Sequence, residues 1–302
     1  MELAITPRIP PTISSGPQEP PAGTFRSREE DSINVCQDNF KPLPFSPMTT
    51  DSKGAPPTLP RAITFDCWQT LLADTDLSRP REARAGALIA CATAAGRPLS
   101  RAGALDILSR TWRRHHQAWQ EENDTGAPEM ARWSLEAIGI PGTEIHRHAP
   151  SLANAFAEAN LLGQVRAIEG ARETLKRLER AGVRCGLVCD TGFSPGRVVR
   201  QLLERVGLLE GLESLAFSDE VGAPKPDPRI FECALEGLGV APRHALHIGD
   251  LRRTDVAGAR ALGMKTVRLC QPHDDRSGHP EADHVVESHT QFCKWLGLQE
   301  PV

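Results

Sequence analysis

The sequence predicts an α/β fold: a doubly wound, mostly parallel sheet carrying one inserted all-helical segment. Three observations predict it. From Leu59 onward, short apolar runs alternate with amphipathic patterns long enough for helices, the order that a parallel sheet with crossover helices requires. Two of those runs stop on an aspartate and turn polar at once, at Asp66 in RAITFDCWQTLLADT and at Asp250 in HIGDLRRTDVAGA. Open α/β sheets carry their chemistry there, at the carboxyl ends of the strands. Finally, the stretch from about Ser78 to Leu162 follows the first strand and holds helical patterns with no convincing strand.

Taken in order, Ala62 to Phe65 reads as a buried strand leading into Asp66. After the helical stretch, Ala171 to Arg180 is an amphipathic helix closed by Gly182. Cys185 to Cys189 is the next strand, and Gly196 to Val206 a helix closed by Gly207. Ser214 to Phe217 makes a third strand. Pro228 to Leu238 is a helix with proline in its first turn, where no N–H is needed, and Gly239 ends it. Ala245 to Ile248 is a strand, Thr254 to Leu262 a helix and Thr266 to Leu269 a strand. His284 to Val286 adds a short edge strand before a final helix near Gln291 to Leu296.

Composition bounds the partners. Hydrophobic content of 39% and charged content of 25% suit a soluble globular protein with a sizeable core. A net charge of −4 gives no electrostatic reason to expect nucleic acid or an anionic membrane. No apolar run approaches the ~20 residues a membrane span needs, and the first residues lack the basic flank and apolar stretch of a secretory signal. Residues 1–58 hold nearly half of the 25 prolines, with apolar residues in no period. Such a stretch buries too little surface to offset its ordering entropy and reads as a disordered tail. Met48 is a candidate start, a hypothesis that a native peptide from residues 1–47 would reject. The 8 cysteines include no C-x-x-C pair. Cys67, Cys185, Cys189 and Cys270 fall in predicted strands, Cys91 and Cys233 in helices. They read as reduced, buried thiols and point to a cytoplasmic location.

Four segments carry chemistry: Asp66 to Thr70, CGLVCDTGFSPG, GAPKPDPRIF with Lys225, and G-D-x-x-x-x-D with Asp250 and Asp255. In this order they resemble the haloacid dehalogenase-like (HAD) hydrolase superfamily over about residues 59–298. The resemblance implies a Rossmann-like core formed by residues 59–74 and 164–302, and a helical C1 cap at 75–163 inserted after the first strand. It implies Asp66 as the nucleophile of a covalent intermediate and Thr70 as a residue orienting the Asp66 loop. Lys225 would offset the charge of Asp66 and substrate. Asp66, the Trp68 carbonyl and Asp250 would ligate Mg²⁺, with Asp255 acting through water. Read without the resemblance, Asp250 and Asp255 are also ordinary acids at a helix start.

Two positions depart from the family pattern. Its phosphatase motif D-x-D-x-T reads Asp66, Cys67, Trp68, Gln69, Thr70 here. In family phosphatases the residue at position 68 is an aspartate that protonates the leaving alkoxide. Indole cannot, and general acid catalysis contributes about 10²–10⁴-fold. At the second motif a Ser or Thr is expected where Cys189 stands, and a thiol is a weak donor. Thr191 is therefore the better candidate to hold the transferring group.

The expected activity is Mg²⁺-dependent hydrolysis of a small phosphate ester with a good leaving group. Dehalogenase chemistry on a 2-haloacid is the alternative, with Arg110, Arg113 or Arg114 reaching in from the cap. A catalytically weakened binding or regulatory protein is the third reading. Trp112, His116 and Trp119, spaced i, i+4, i+7, share one helix face. Such a stripe ordinarily packs as core within the cap, as would Trp133. Facing the cleft, it would favour an aromatic or hydrophobic substrate, and His115 or His116 would supply the missing proton. The oligomeric state is not encoded in any of these features.

Overall fold

The computed structural model of the chain describes residues 59–298. The expected tail at 1–58 and the candidate start at Met48 lie outside the described residues. The chain enters through β1 (Ala62–Phe65), every residue of which is buried. It leaves through a short β2 (Leu72–Asp76) into four helices: α1 (Ser78–Ala94), α2 (Arg101–Gln120), α3 (Ala127–Ile138) and α4 (Gly142–Glu158). A 3₁₀ turn at Ala159–Leu162 leads back into β3 (Gln164–Ala167), which pairs antiparallel with β2.

The alternation then runs through α5 (Ala171–Arg180), β4 (Arg184–Cys189), α6 (Gly196–Arg205), β5 (Ser214–Phe217) and a one-turn α7 (Ser218–Val221). It continues with α8 (Pro228–Leu238), β6 (Ala245–Gly249), α9 (Ala257–Ala261), β7 (Lys265–Leu269), β8 (His284–Val286) and α10 (His289–Trp295). The main sheet has the order β5-β4-β1-β6-β7-β8, and every pairing in it is parallel. It is the predicted Rossmann-like α/β sheet. No helix among the described residues is long and apolar enough to cross a membrane.

Side chains alternate between the two faces of the sheet, so β1 feeds two cores. Ile63 and Phe65 join the larger cluster, with Leu175 and Leu178 of α5, Val199 and Leu202 of α6 and Phe292 of α10. Ala62 packs on the opposite face with Ile230, Phe231, Leu235 and Leu238 of α8. The sheet order turns at β1, flanked by β4 and β6. The carboxyl ends of these three strands therefore meet, which brings Asp66, Asp190 and Asp250 to one edge.

Several features differ from those expected from the sequence. The ribbon β2–β3 was not anticipated, because LADTD and QVRA offer neither a continuous apolar run nor a clean alternation. Its pairing runs to Asp76, so the expected domain boundary at 74/75 falls inside a strand. The helix expected from Thr254 opens instead as a π-turn, Arg252–Val256, before α9. Cys270 follows β7 rather than lying in it, and α7 is an unforeseen single turn.

The loop after Asp66 is pinned from the far end of the chain. His289, fully buried at the start of α10, donates from Nε2 to the Thr70 carbonyl at 2.8 Å. Its Nδ1 is buried with no partner, so a second ring proton would have no acceptor. Burial accordingly lowers its pKa, the bond to Thr70 only partly opposing. A depressed folded pKa means stability that is complete above the unfolded value of about 6.5 and is lost as pH falls. Denaturation midpoints of the wild type and His289→Gln, at neutral and mildly acid pH, check this. The wild type should lose up to about 1.4 kcal/mol per pH unit more than the variant. Equal losses would contradict it.

Candidate active site

At the strand ends lies a buried charge cluster. Lys225, 3% exposed, donates from Nζ to Asp66 Oδ1 at 2.5 Å and to Asp255 Oδ1 at 2.7 Å. Asp250 completes the group, and oxygens of Asp66, Asp250 and Asp255 lie within 4.8 Å of one another. Burial pushes Asp66 up to about 7, against the pull of Lys225 and with a further push from Asp255. Burial, then Asp66 and Asp255, push Asp250 up to about 9. Burial would raise Asp255 as well, but Lys225 and His247 outweigh it and hold that carboxyl below its usual range. Burial works against charge on Lys225, yet Asp255, Asp66 and Asp190 together raise it well above its ordinary value. One ammonium thus faces three closely set carboxylates that it cannot fully neutralise. Oxygen donors in this arrangement fit a hard divalent cation.

Local structure explains the convergence. Gly249 precedes Asp250, and a Cβ there would come within 2.3 Å of Asp255 Cγ, so only glycine lets the two elements approach. The π-turn is closed by Asp255 itself, whose Oδ2 accepts from the Leu251 N–H at 2.9 Å. π-turns often mark functional positions. From behind, His247 Nε2 lies 3.3 Å from Asp255 Oδ1, and its Nδ1 is 2.9 Å from Thr64 Oγ1 across the β1–β6 pairing. His273 Nδ1 is 2.9 Å from Asp250 Oδ2. Sequence reading missed both histidines. His247 had a signal, a titratable residue inside the buried strand ALHIG. His273 arrives on a loop and had none.

The remaining candidates are placed as follows. Trp68 lines the cleft above Asp66. Thr70 is buried with its hydroxyl unpaired, and its contact with the rest of the fold runs through its carbonyl to His289. Thr191 is also buried, and its hydroxyl and N–H both meet Ser218 Oγ at 2.9 Å. The Cys189 thiol points to the Asp190 carbonyl at 3.4 Å. The adjoining Cys67 thiol and burial push it well above its usual pKa, so it stays protonated. No described cysteine forms a disulfide.

A cleft of about 720 Å³ opens over the cluster, walled on one side by α1 and α2. Trp112, His115, His116 and Trp119 all line it, so the stripe faces the cleft rather than a private core. Trp133 is the exception, buried under Arg114 with the guanidinium 4.2 Å from its ring. None of Arg110, Arg113 and Arg114 lines the cleft; the arginines there are Arg81 and Arg84. Trp119 reaches across to the sheet. Its indole N–H donates to Asp190 Oδ2 at 2.7 Å, Asp190 Oδ1 accepts from the Lys225 N–H at 2.8 Å, and Arg253 covers the Trp119 ring at 4.0 Å. Trp119→Phe keeps an aromatic side chain but removes the indole N–H together with part of the ring surface under Arg253. Loss of that bond to a carboxylate lowers unfolding free energy by about 1–3 kcal/mol, measurable by urea titration; an unchanged midpoint would contradict the contact.

Comparison with known proteins agrees with this geometry. Glyceraldehyde 3-phosphate phosphatase of Pyrococcus furiosus is 37% identical over 105 residues, which are 34% of this chain and 42% of that protein. Haloacid dehalogenase-like hydrolase domain-containing protein 3 of Bos taurus is 38% identical over 105 residues, 35% of this chain and 40% of that protein. The matches thus span less than half of either relative. The crystal structure of a HAD phosphatase from Thermococcus onnurineus shares the fold, with a TM-score of 0.54 and 24% identity over 78% of this chain and 98% of that one. The family model described as haloacid dehalogenase-like hydrolase matches residues 60–263. This chain therefore belongs to the haloacid dehalogenase-like hydrolases.

Proposed function

We propose that the chain is a Mg²⁺-dependent phosphatase of small molecules that works through a covalent intermediate on Asp66. The observation that carries this is the Lys225 ammonium, bonded at once to Asp66 and Asp255 beneath an open cleft. In the first step an Asp66 carboxylate oxygen attacks phosphorus, and the bond from phosphorus to the leaving oxygen breaks. In the second, water attacks the same phosphorus, and inorganic phosphate leaves with Asp66 restored. Lys225 favours the ionised form of Asp66 against its burial and offsets charge arriving with the phosphoryl group.

The residues suited to hold Mg²⁺ are Asp66, Asp250 and the Trp68 carbonyl, with Asp255 through water. The ion would supply positive charge where carboxylate and phosphoryl oxygens meet. We assign the helices between β2 and β3 the role of a cap, closed by the bond from Trp119 to Asp190.

The Trp68 side chain itself offers no proton; of the two cap histidines that line the cleft with it, the exposed His116 has Nε2 3.3 Å from Gln120 Nε2. His115 is held to Thr125 Oγ1 through Nδ1 at 2.7 Å, and burial lowers its pKa, which disfavours the charged, proton-donating form. An alkoxide would leave unprotonated, and the substrate is therefore one whose leaving group needs no acid. The haloacid reading called for a cap arginine in the cleft; Arg110, Arg113 and Arg114 lie outside it and Arg81 and Arg84 of α1 line it instead, but the complete acidic cluster favours the phosphatase reading.

Three measurements test the proposal. Asp66→Asn should bring acetyl phosphate hydrolysis to background, and EDTA should abolish wild-type activity reversibly on adding Mg²⁺. Full activity in EDTA would reject the metal. Trp68→Asp should raise hydrolysis of an alkyl phosphate, by up to about 10²–10⁴-fold. No rise would mean that the missing acid is not the limit.

A further inference from the structure

We infer that the cleft selects aryl phosphates, with Trp112 as the platform on which the substrate ring stacks. This rests on the phosphatase reading and names its substrate class. Trp112 stands on α2, lines the cleft and is 48% exposed, one of few large apolar side chains left open among the described residues. Leu77, 49% exposed, lines the same cleft, as do Leu105 and Leu108. Apolar surface left open beside a charged site is uncovered until a ligand covers it.

The platform is held rigid. Trp112 stacks on Phe193 with ring centres 5.6 Å apart and planes 12° from parallel. Phe156 meets Phe193 edge-on at 5.5 Å, and the Arg84 guanidinium lies 4.2 Å from the Phe193 ring. Arg84 is fixed in turn by bonds to the Phe156 carbonyl at 3.0 Å and to Asn160 Oδ1 at 2.7 Å. A pre-ordered aromatic face loses little entropy on binding a flat ring.

A second observation reaches the same substrate independently. Trp68 offers no proton at the leaving oxygen. Phenols ionise near ~10, as tyrosine does, against roughly 16 for water, so a phenolate departs without a donor where an alkoxide does not. A ring bonded directly to the ester oxygen satisfies both the wall and the missing acid. In the reaction the bond from phosphorus to aryl oxygen breaks as the bond to Asp66 forms. The electron pair stays on the phenolate, which takes its proton from solvent.

The test compares substrates and Trp112 variants with Mg²⁺ present. Phenyl phosphate should exceed benzyl phosphate in kcat/KM by at least about 10²-fold, since the rings match and only the leaving oxygen differs; equal values would overturn the leaving-group half. Trp112→Ala should raise KM for 1-naphthyl phosphate about tenfold more than it changes KM for acetyl phosphate. Trp112→Phe should restore most of the difference. Parallel changes for both substrates, or none, would overturn the platform. Acetyl phosphate turnover reports the phosphatase reading by itself. If acetyl phosphate is not hydrolysed, that reading falls, and 1-naphthyl phosphate binding to the Asp66→Asn protein still decides the platform. A tenfold loss of that binding in the Trp112→Ala background supports it, and no loss overturns it.

Discussion

The shared ammonium of Lys225 is the constraint around which the rest is built. Asp66, Asp250 and Asp255 are each less than a tenth exposed, and carboxylates so close and so dry repel one another. Lys225 bridges two of them directly. Much of the surrounding fold reads as support for that bridge. Parallel pairing of β1 with β6 sets Asp66 beside Asp250, and Gly249 removes the side chain that would keep Asp255 away. The π-turn aims Asp255 inward, and His247 steadies it from the sheet. Asp190 holds the Lys225 backbone and takes the Trp119 indole, so the ammonium and the helical insertion are positioned through one carboxylate.

Two departures from the family pattern shape the chemistry in a consistent direction. With Trp68 the site gives up a proton donor at the leaving oxygen, and with Cys189 it gives up a hydroxyl at the end of β4. Neither loss touches the Lys225 cluster. What the cleft gains is aromatic surface: Trp68, Phe193 and Trp112 line one cavity with Asp66. A site that has exchanged an acid for ring surface is suited to substrates that bring their own stable leaving group. The family's fold is kept, while on the proposed reading its range of leaving groups is narrowed.

Much of the architecture was legible because the main strands are buried on both faces. Runs such as AITF and RCGLVC are strongly apolar for that reason, and glycines or a proline punctuate the helices between them. The candidate site could be read where an aspartate coincides with a strand end, as at Asp66 and Asp250, whereas Lys225 lies in the loop between α7 and α8 and was found through its K-P-D-P setting. The β2–β3 ribbon was not, since its two short, partly polar strands pair only after the whole helical insertion has been traversed. The Trp112 to Trp119 stripe could be seen, but helical spacing alone does not say whether a face meets core or cleft. The bonds from His273 and His289 depend on long-range packing, and no local pattern announces them.

Chemistry at the Asp66 carboxylate is the claim on which the function depends. Rapid quenching of the enzyme with acetyl phosphate and Mg²⁺ into acid, followed by peptide mass spectrometry, examines it directly. The expected result is one phosphoryl group on the peptide containing Asp66, appearing before phosphate release and missing from Asp66→Asn. Turnover at the full rate with Asp66 unmodified at every quench time would contradict it.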